Sequence, residues 1–137
     1  MPMKTSLFAI VVAIASLLCA CEQSKDTKWE QSLLGTWQHT EAEPNGLIMD
    51  GQTTYLPSGR MNISGSIKFQ GNERQIIGSG NWQVKKGYLH YTLEVSNVSD
   101  ILPNGFASAD KIVSVTDKEY TYVDTTSGQT KIEYRVK

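Results

Sequence analysis

The chain has 137 residues, 13 Lys and Arg against 14 Asp and Glu, a formal charge of −1, and only two Cys and two His. Such a length suits one small domain rather than a multidomain assembly. The near-neutral balance argues against a nucleic-acid partner, and the densest basic spot, Lys85-Lys86, precedes Gly87 in what reads as a solvated hairpin turn.

Taken in chain order, the first segment is an address. Lys4 gives a short basic start, Leu7 to Leu18 is apolar except for Ser16, and Leu18-Cys19-Ala20-Cys21 precedes the polar run Glu22-Gln23-Ser24-Lys25-Asp26. A basic start, a short apolar run and small residues at the cut define a secretory signal. The apolar run is twelve residues, short of the about 20 that a spanning helix needs, so residues 1–20 read as a cleaved signal peptide. The Leu18-to-Cys21 segment resembles the lipobox of bacterial lipoproteins. That resemblance implies a diacylglyceryl group on Cys21, with palmitate-type acyl chains, and a lipid-anchored protein of the bacterial cell envelope. Glu22 after the Cys, by the same resemblance, favours the outer membrane, facing the periplasm. Cys19 follows the bulky Leu18 and leaves with the signal. The mature chain then holds no Cys but the lipidated one, which excludes a disulfide framework, a thiolate metal site and a Cys nucleophile. Multiple acyl chains, at about 0.8 kcal/mol per buried methylene, hold such a protein on a bilayer. Residues 21–32 read as the lipidated N-terminus and a polar tether with a lone Trp29, and residues 33–137 as the folded domain.

From Leu33 onward the hydrophobic period is two. Met61, Ile63, Gly65, Ile67 and Phe69 alternate with polar residues, as do Ile76, Gly78, Gly80, Trp82 and Val84 apart from the break at Ile77, and Leu89, Tyr91, Leu93 and Val95. This is the pattern of antiparallel strands with one wet face and one buried face. Further strands are expected at Leu34–Thr40, Leu47–Leu56, Lys111–Thr116, Glu119–Asp124 and Thr130–Val136. Tight-turn signals separate most of them, among them Pro44-Asn45-Gly46, Pro57-Ser58-Gly59, Gly71-Asn72 and Ser127-Gly128. Eight short strands in sequence predict an all-β, antiparallel up-and-down barrel, because closure removes the sheet edges. Gly65, Gly78 and Gly80 on the inward face suit the sharp coiling of a small barrel.

Gly35-Thr36-Trp37 opens the first strand and resembles the Gly-x-Trp signature of lipocalins and of small lipocalin-like domains in bacterial lipoproteins. The resemblance extends through Tyr55-Leu56-Pro57-Ser58-Gly59-Arg60, Gly80-Asn81-Trp82-Gln83-Val84 with Gly87-Tyr88-Leu89, and the hairpin Ile112–Asp117 with Glu119-Tyr120. It implies that Gly35 and Trp37 form the closed base of the barrel and that Arg135 covers the Trp37 ring, a cation–π contact of roughly 0.5–2 kcal/mol. The departure from the larger lipocalins is size, with no C-terminal helix and no disulfide.

No enzyme motif stands out. His39 and His90 lie in expected strands without a His-x-x-x-His partner, so neither a metal site nor a cofactor beyond the covalent lipid is expected. No Gly-x-Ser-x-Gly elbow or triad is present. Asp110, Asp117, Glu119 and Asp124 flank turns and read as solvated. The one long connection, Ser96 to Asp110, carries the apolar group Ile101-Leu102-Pro103-Asn104-Gly105-Phe106, in which Leu102 and Phe106 form either a lid over the barrel mouth or a plug.

These readings converge on a non-catalytic, monomeric envelope lipoprotein. Its barrel is expected to bind a small apolar ligand, with Ile63, Ile67, Phe69, Trp82, Tyr91 and Leu93 as candidate lining. The alternative is a structural, inhibitor or immunity-type lipoprotein that acts on an envelope protein through its outer surface or the 96–110 loop. A cavity of a few hundred cubic ångströms favours the first reading, and a solid interior the second.

Overall fold

The computed structural model describes residues 20–137. Of the expected signal peptide, all but Ala20 lies outside the described residues, Cys19 included. Eight antiparallel strands follow in chain order: β1 (Gly35–Ala42), β2 (Ile48–Tyr55), β3 (Arg60–Phe69), β4 (Asn72–Lys85), β5 (Tyr88–Ser96), β6 (Ala107–Val115), β7 (Glu119–Asp124) and β8 (Thr130–Arg135). Each pairs with the next and β8 returns to β1, giving a closed up-and-down barrel. The period-two alternation has its direct consequence here: one side of every strand faces the interior. No helix among the described residues is long and apolar enough to cross a membrane.

The segment read as a polar tether is instead helical over residues 20–33. Asp26, Trp29, Glu30 and Leu33 fall at i, i+3, i+4 and i+7, so one stripe faces the barrel. Asp26 accepts hydrogen bonds from the backbone N–H groups of Lys86 (2.7 Å) and Gly87 (2.9 Å), and Glu30 accepts one from Val84 (3.1 Å). Leu33 is fully buried, and Trp29 packs on the same core. Cys21 lies on this helix, exposed.

The helix ends where the barrel begins, and its last carbonyls are the orphan acceptors of any helix C-terminus. Trp37 donates its indole N–H to the Leu33 carbonyl at 2.8 Å. The Arg135 guanidinium donates to the carbonyls of Ser32 (2.7 Å), Leu34 (2.6 Å) and Asp117 (2.9 Å). Its Cζ stands 4.2 Å from the centre of the Trp37 ring. A cation is therefore set against the negative end of the helix dipole. Gly35, at φ +115°, leaves the room this needs, since a Cβ there would stand 2.8 Å from Arg135 Nη1. Gly35, Trp37 and Arg135 thus meet at one closed end.

Above this base, Trp37, Tyr55, Met61, Trp82, Val84, Leu89, Ile112, Tyr120 and Tyr122 form the main core cluster. A smaller cluster of Ile67, Ile76 and Val98 sits elsewhere in the barrel, with Leu47, Met49, Ile63 and Leu102 against it. Two bulges break the strict alternation, between Ser79 and Gly80 against β5 and within Ile112–Ser114. At the first, Glu94 is the extra residue. The phase of β5 flips beyond it, so Val95 points outward, 60 % exposed, and Ser96 turns in. Gly80 permits the approach, because a Cβ there would overlap the Thr92 carbonyl. β6 starts at Ala107, ahead of the expected Lys111, through pairing of Ala107–Lys111 with Tyr88–Thr92.

Candidate functional site

Between the base and the long β5–β6 connection lies an interior cavity of about 320 Å³. Its apolar side comes from Met49, Ile63, Ile76 and Leu93, which occupy inward positions of β2 to β5, and from Tyr55, Met61 and Tyr91. The β5–β6 connection completes it. Leu102 is half-buried and packs on the Ile67–Ile76–Val98 cluster, and the Phe106 ring lies 6.3 Å from that of Tyr91. The connection is held in place at several points. Leu102 N–H donates to the Val98 carbonyl, Gly105 and Phe106 exchange backbone hydrogen bonds with Leu93, and Ser96 N–H donates to the Asn104 side chain. Arg74 makes a two-point contact with Asp100 on the outside. Val98, 1 % exposed, is the residue of this connection that plugs into the barrel. Leu102 and Phe106 line the cavity itself.

Of the candidate lining residues, Ile63, Tyr91 and Leu93 border the cavity. Three do not. Ile67 is consumed in packing against Ile76 and Val98. Trp82 belongs to the base, where its indole N–H donates to the Leu56 carbonyl at 3.1 Å and its ring lies 5.1 Å from Tyr55. Phe69 is 37 % exposed, because β2 pairs with β3 only as far as Lys68 and Phe69 projects past it.

The remaining wall is polar. Backbone pairing between β1 and β8 is confined to Trp37↔Arg135 and Gln38↔Tyr134, supplemented by Val136 N–H to the Thr36 carbonyl. Beyond that point the seam is spanned by side chains. Lys131 bridges Glu41 (2.7 Å) and Asp124 (3.1 Å), and His39 Nδ1 stands 3.8 Å from Glu133 Oε1. Tyr122 donates its hydroxyl to the same Glu133 oxygen at 3.0 Å. Asp110 on β6 completes a wall that holds four carboxyl groups. Asp110 and Asp124 thus face the interior, where the sequence suggests solvated turn residues. They sit two or four positions from Ile112, Tyr122 and Tyr120 in the inward phase. Glu133 and Glu41 hold the same relation to Arg135 and to Trp37.

Burial shapes the protonation of this wall. Desolvation pushes the Asp110 carboxyl up to about 7, aided by the charges of Asp124 and Glu133 and opposed by Lys131. Burial also raises Glu133, against the opposing effects of His39 and the Tyr122 hydroxyl. Asp124 is lowered: burial would raise it, but the Thr126 N–H, Lys131 and Ser127 outweigh that. Burial pushes the Tyr91 and Tyr122 hydroxyls well above the ordinary tyrosine value, so both stay protonated and can donate. Among the buried side-chain polar atoms, His39 Nδ1, Tyr120 Oη and Glu133 Oε2 have no hydrogen-bond partner among the described residues. Among the described residues, no three His, Cys, Asp or Glu side chains converge closely enough to hold a metal ion.

The arrangement is that of a small amphipathic pocket: aliphatic and aromatic groups on one side, hydrogen-bonding groups of net negative character on the other. No protein-family model matches this chain, and no curated protein matches it.

Proposed function

We propose that this protein is a lipid-anchored bacterial envelope lipoprotein whose lipocalin-like barrel is a non-catalytic binding module for a small ligand with an apolar body. The observation that carries the reading is the cavity of about 320 Å³ in the barrel interior. A barrel of short strands has the option of filling itself with side chains, and this one keeps a space within the range of small-molecule sites. The Gly35–Trp37–Arg135 base supports the lipocalin-like part of the reading. The exposure of Cys21 on its helix is compatible with an acyl anchor at that position.

Native mass spectrometry of the full-length protein, with and without a panel of fatty acids, fatty alcohols and phospholipids, tests the binding function. A one-to-one adduct is expected, and an apo mass that ignores every compound would remove the reading. Membrane fractionation tests the anchor. Cys21→Ser is expected to leave an unlipidated precursor, and normal acylation of that variant would refute the assignment.

A further inference from the structure

The acidic wall restricts which ligand suits the pocket. Glu41, Asp110, Asp124 and Glu133 share it with one lysine and one histidine. Lys131 is already committed, at 2.7 Å to Glu41 and 3.1 Å to Asp124. That leaves Asp110 and Glu133, which make no salt bridge to a lysine or arginine among the described residues; the nearest basic group is His39 Nδ1, 3.8 Å from Glu133 Oε1. Glu133 is 6 % exposed, and its Oε2 has no donor. A buried carboxylate oxygen without a donor is strongly unfavourable unless something supplies one. The oxygen belongs to a residue that lines the cavity, so a ligand in the cavity is placed to supply the hydrogen bond.

We propose that the cavity takes a small amphiphilic amine, with the protonated amino group donating to Glu133 and Asp110 and the apolar body lying against Ile63, Leu93 and Leu102. An ammonium group brings up to three donors and the positive charge the wall lacks, and charge-assisted hydrogen bonds are the strong ones. A fatty acid would add a further carboxyl group to a wall that already holds four, and its negative charge would be repelled by those that are ionised. An alcohol of equal length fills the same volume without the charge. A cavity of about 320 Å³, at about 30 Å³ per water-sized group, has room for on the order of ten heavy atoms. Octylamine is of that size. Aromatic faces at Tyr91 and Phe106 are available for an additional cation–π or stacking contact.

This inference rests on the binding-module reading, and one experiment separates the two. Purified full-length protein is titrated calorimetrically with octylamine, octanol and octanoate. Octylamine is expected to bind about ten-fold or more tighter than octanol, and octanoate weaker than either. Octanol equal to octylamine, or octanoate tighter than either, overturns the amine assignment and leaves the binding module standing. No binding by any of the three overturns both. Glu133→Gln and, independently, Asp110→Asn are each expected to weaken octylamine about ten-fold and octanol by less, so that the preference for octylamine over octanol falls in each. Unchanged octylamine affinity in both variants would likewise overturn the proposal, and the wild-type comparison stands even if one variant does not fold.

Discussion

Replacing Asp110 with Asn tests the electrostatics of the cavity wall through stability alone. Asp110 is 7 % exposed, on β6, and faces Asp124 on β7, Glu133 and Lys131 on β8, and Glu41 on β1. Its carboxyl titrates at about 7 in the fold against 3.8 ordinarily. Below about pH 4 it is protonated in both folded and unfolded chains and carries no penalty. Between about pH 4 and 7 the unfolded chain ionises first, so unfolding releases a proton and stability falls as pH rises. Above 7 the penalty is complete. At about 1.4 kcal/mol per unit, the shift corresponds to roughly 4 kcal/mol, and screening by cavity water reduces this to about 2–4 kcal/mol. Asp110→Asn removes the titrating proton and keeps the shape. Urea melts followed by tryptophan fluorescence at pH 4, 6 and 8 are expected to give matching midpoints for variant and wild type at pH 4. At pH 8 the variant should be more stable by about 2–4 kcal/mol. A variant less stable than wild type at pH 8 would mean that the ionised carboxylate stabilises the fold, and the reasoning would fail.

Trp37→Ala removes a fully buried ring together with its hydrogen bond to Leu33 and its contact with Arg135; a loss of about 3–5 kcal/mol in the same melts is expected, and a marginal change would contradict its role at the base. Asp26→Ala deletes the two hydrogen bonds that pin the helix to the Lys86–Gly87 turn. About 1–2 kcal/mol is expected to go with it, and amide exchange should rise at Lys86 and Gly87. Leu102→Ser combined with Phe106→Ser changes partly exposed lining groups, so about 1–2 kcal/mol of stability is expected to be lost while the fold persists. Ligand affinity should drop more sharply, and an unfolded variant would show the pair to be a plug rather than a wall.

The barrel was legible because period-two alternation in β3, β4 and β5 is strong enough to fix which face each strand buries. What escaped is local. A bulge adds one residue without a compositional signal, so Val95 reads as inward until Glu94 is known to be the extra residue. Ala107-Ser108-Ala109 lacks β-branched and aromatic residues, so the start of β6 depends on pairing with β5 rather than on propensity. The helix over residues 20–33 carries a clear stripe at Asp26, Trp29, Glu30 and Leu33. Half of that stripe is polar, though, because it meets backbone N–H groups of a turn as well as the core. The acidic wall was the least visible part. Glu41, Asp110, Asp124 and Glu133 all keep the inward phase, but charged residues on a strand ordinarily mark its wet side. Only closure of the barrel, with β8 beside β1, brings them around one space. Ile63, Tyr91 and Leu93 were recoverable as lining, whereas Ile67 and Trp82 differ from them only in which neighbours reach them first.

The central claim is that the barrel interior is a ligand site, and methyl-detected NMR of the full-length protein during titration with octylamine tests it most directly. Saturable shifts are expected at the methyl groups of Ile63, Leu93 and Leu102, with the Trp37 indole at the closed base unmoved. Shifts confined to the outward methyls of Ile77 and Val95, or no shifts at all, would contradict it.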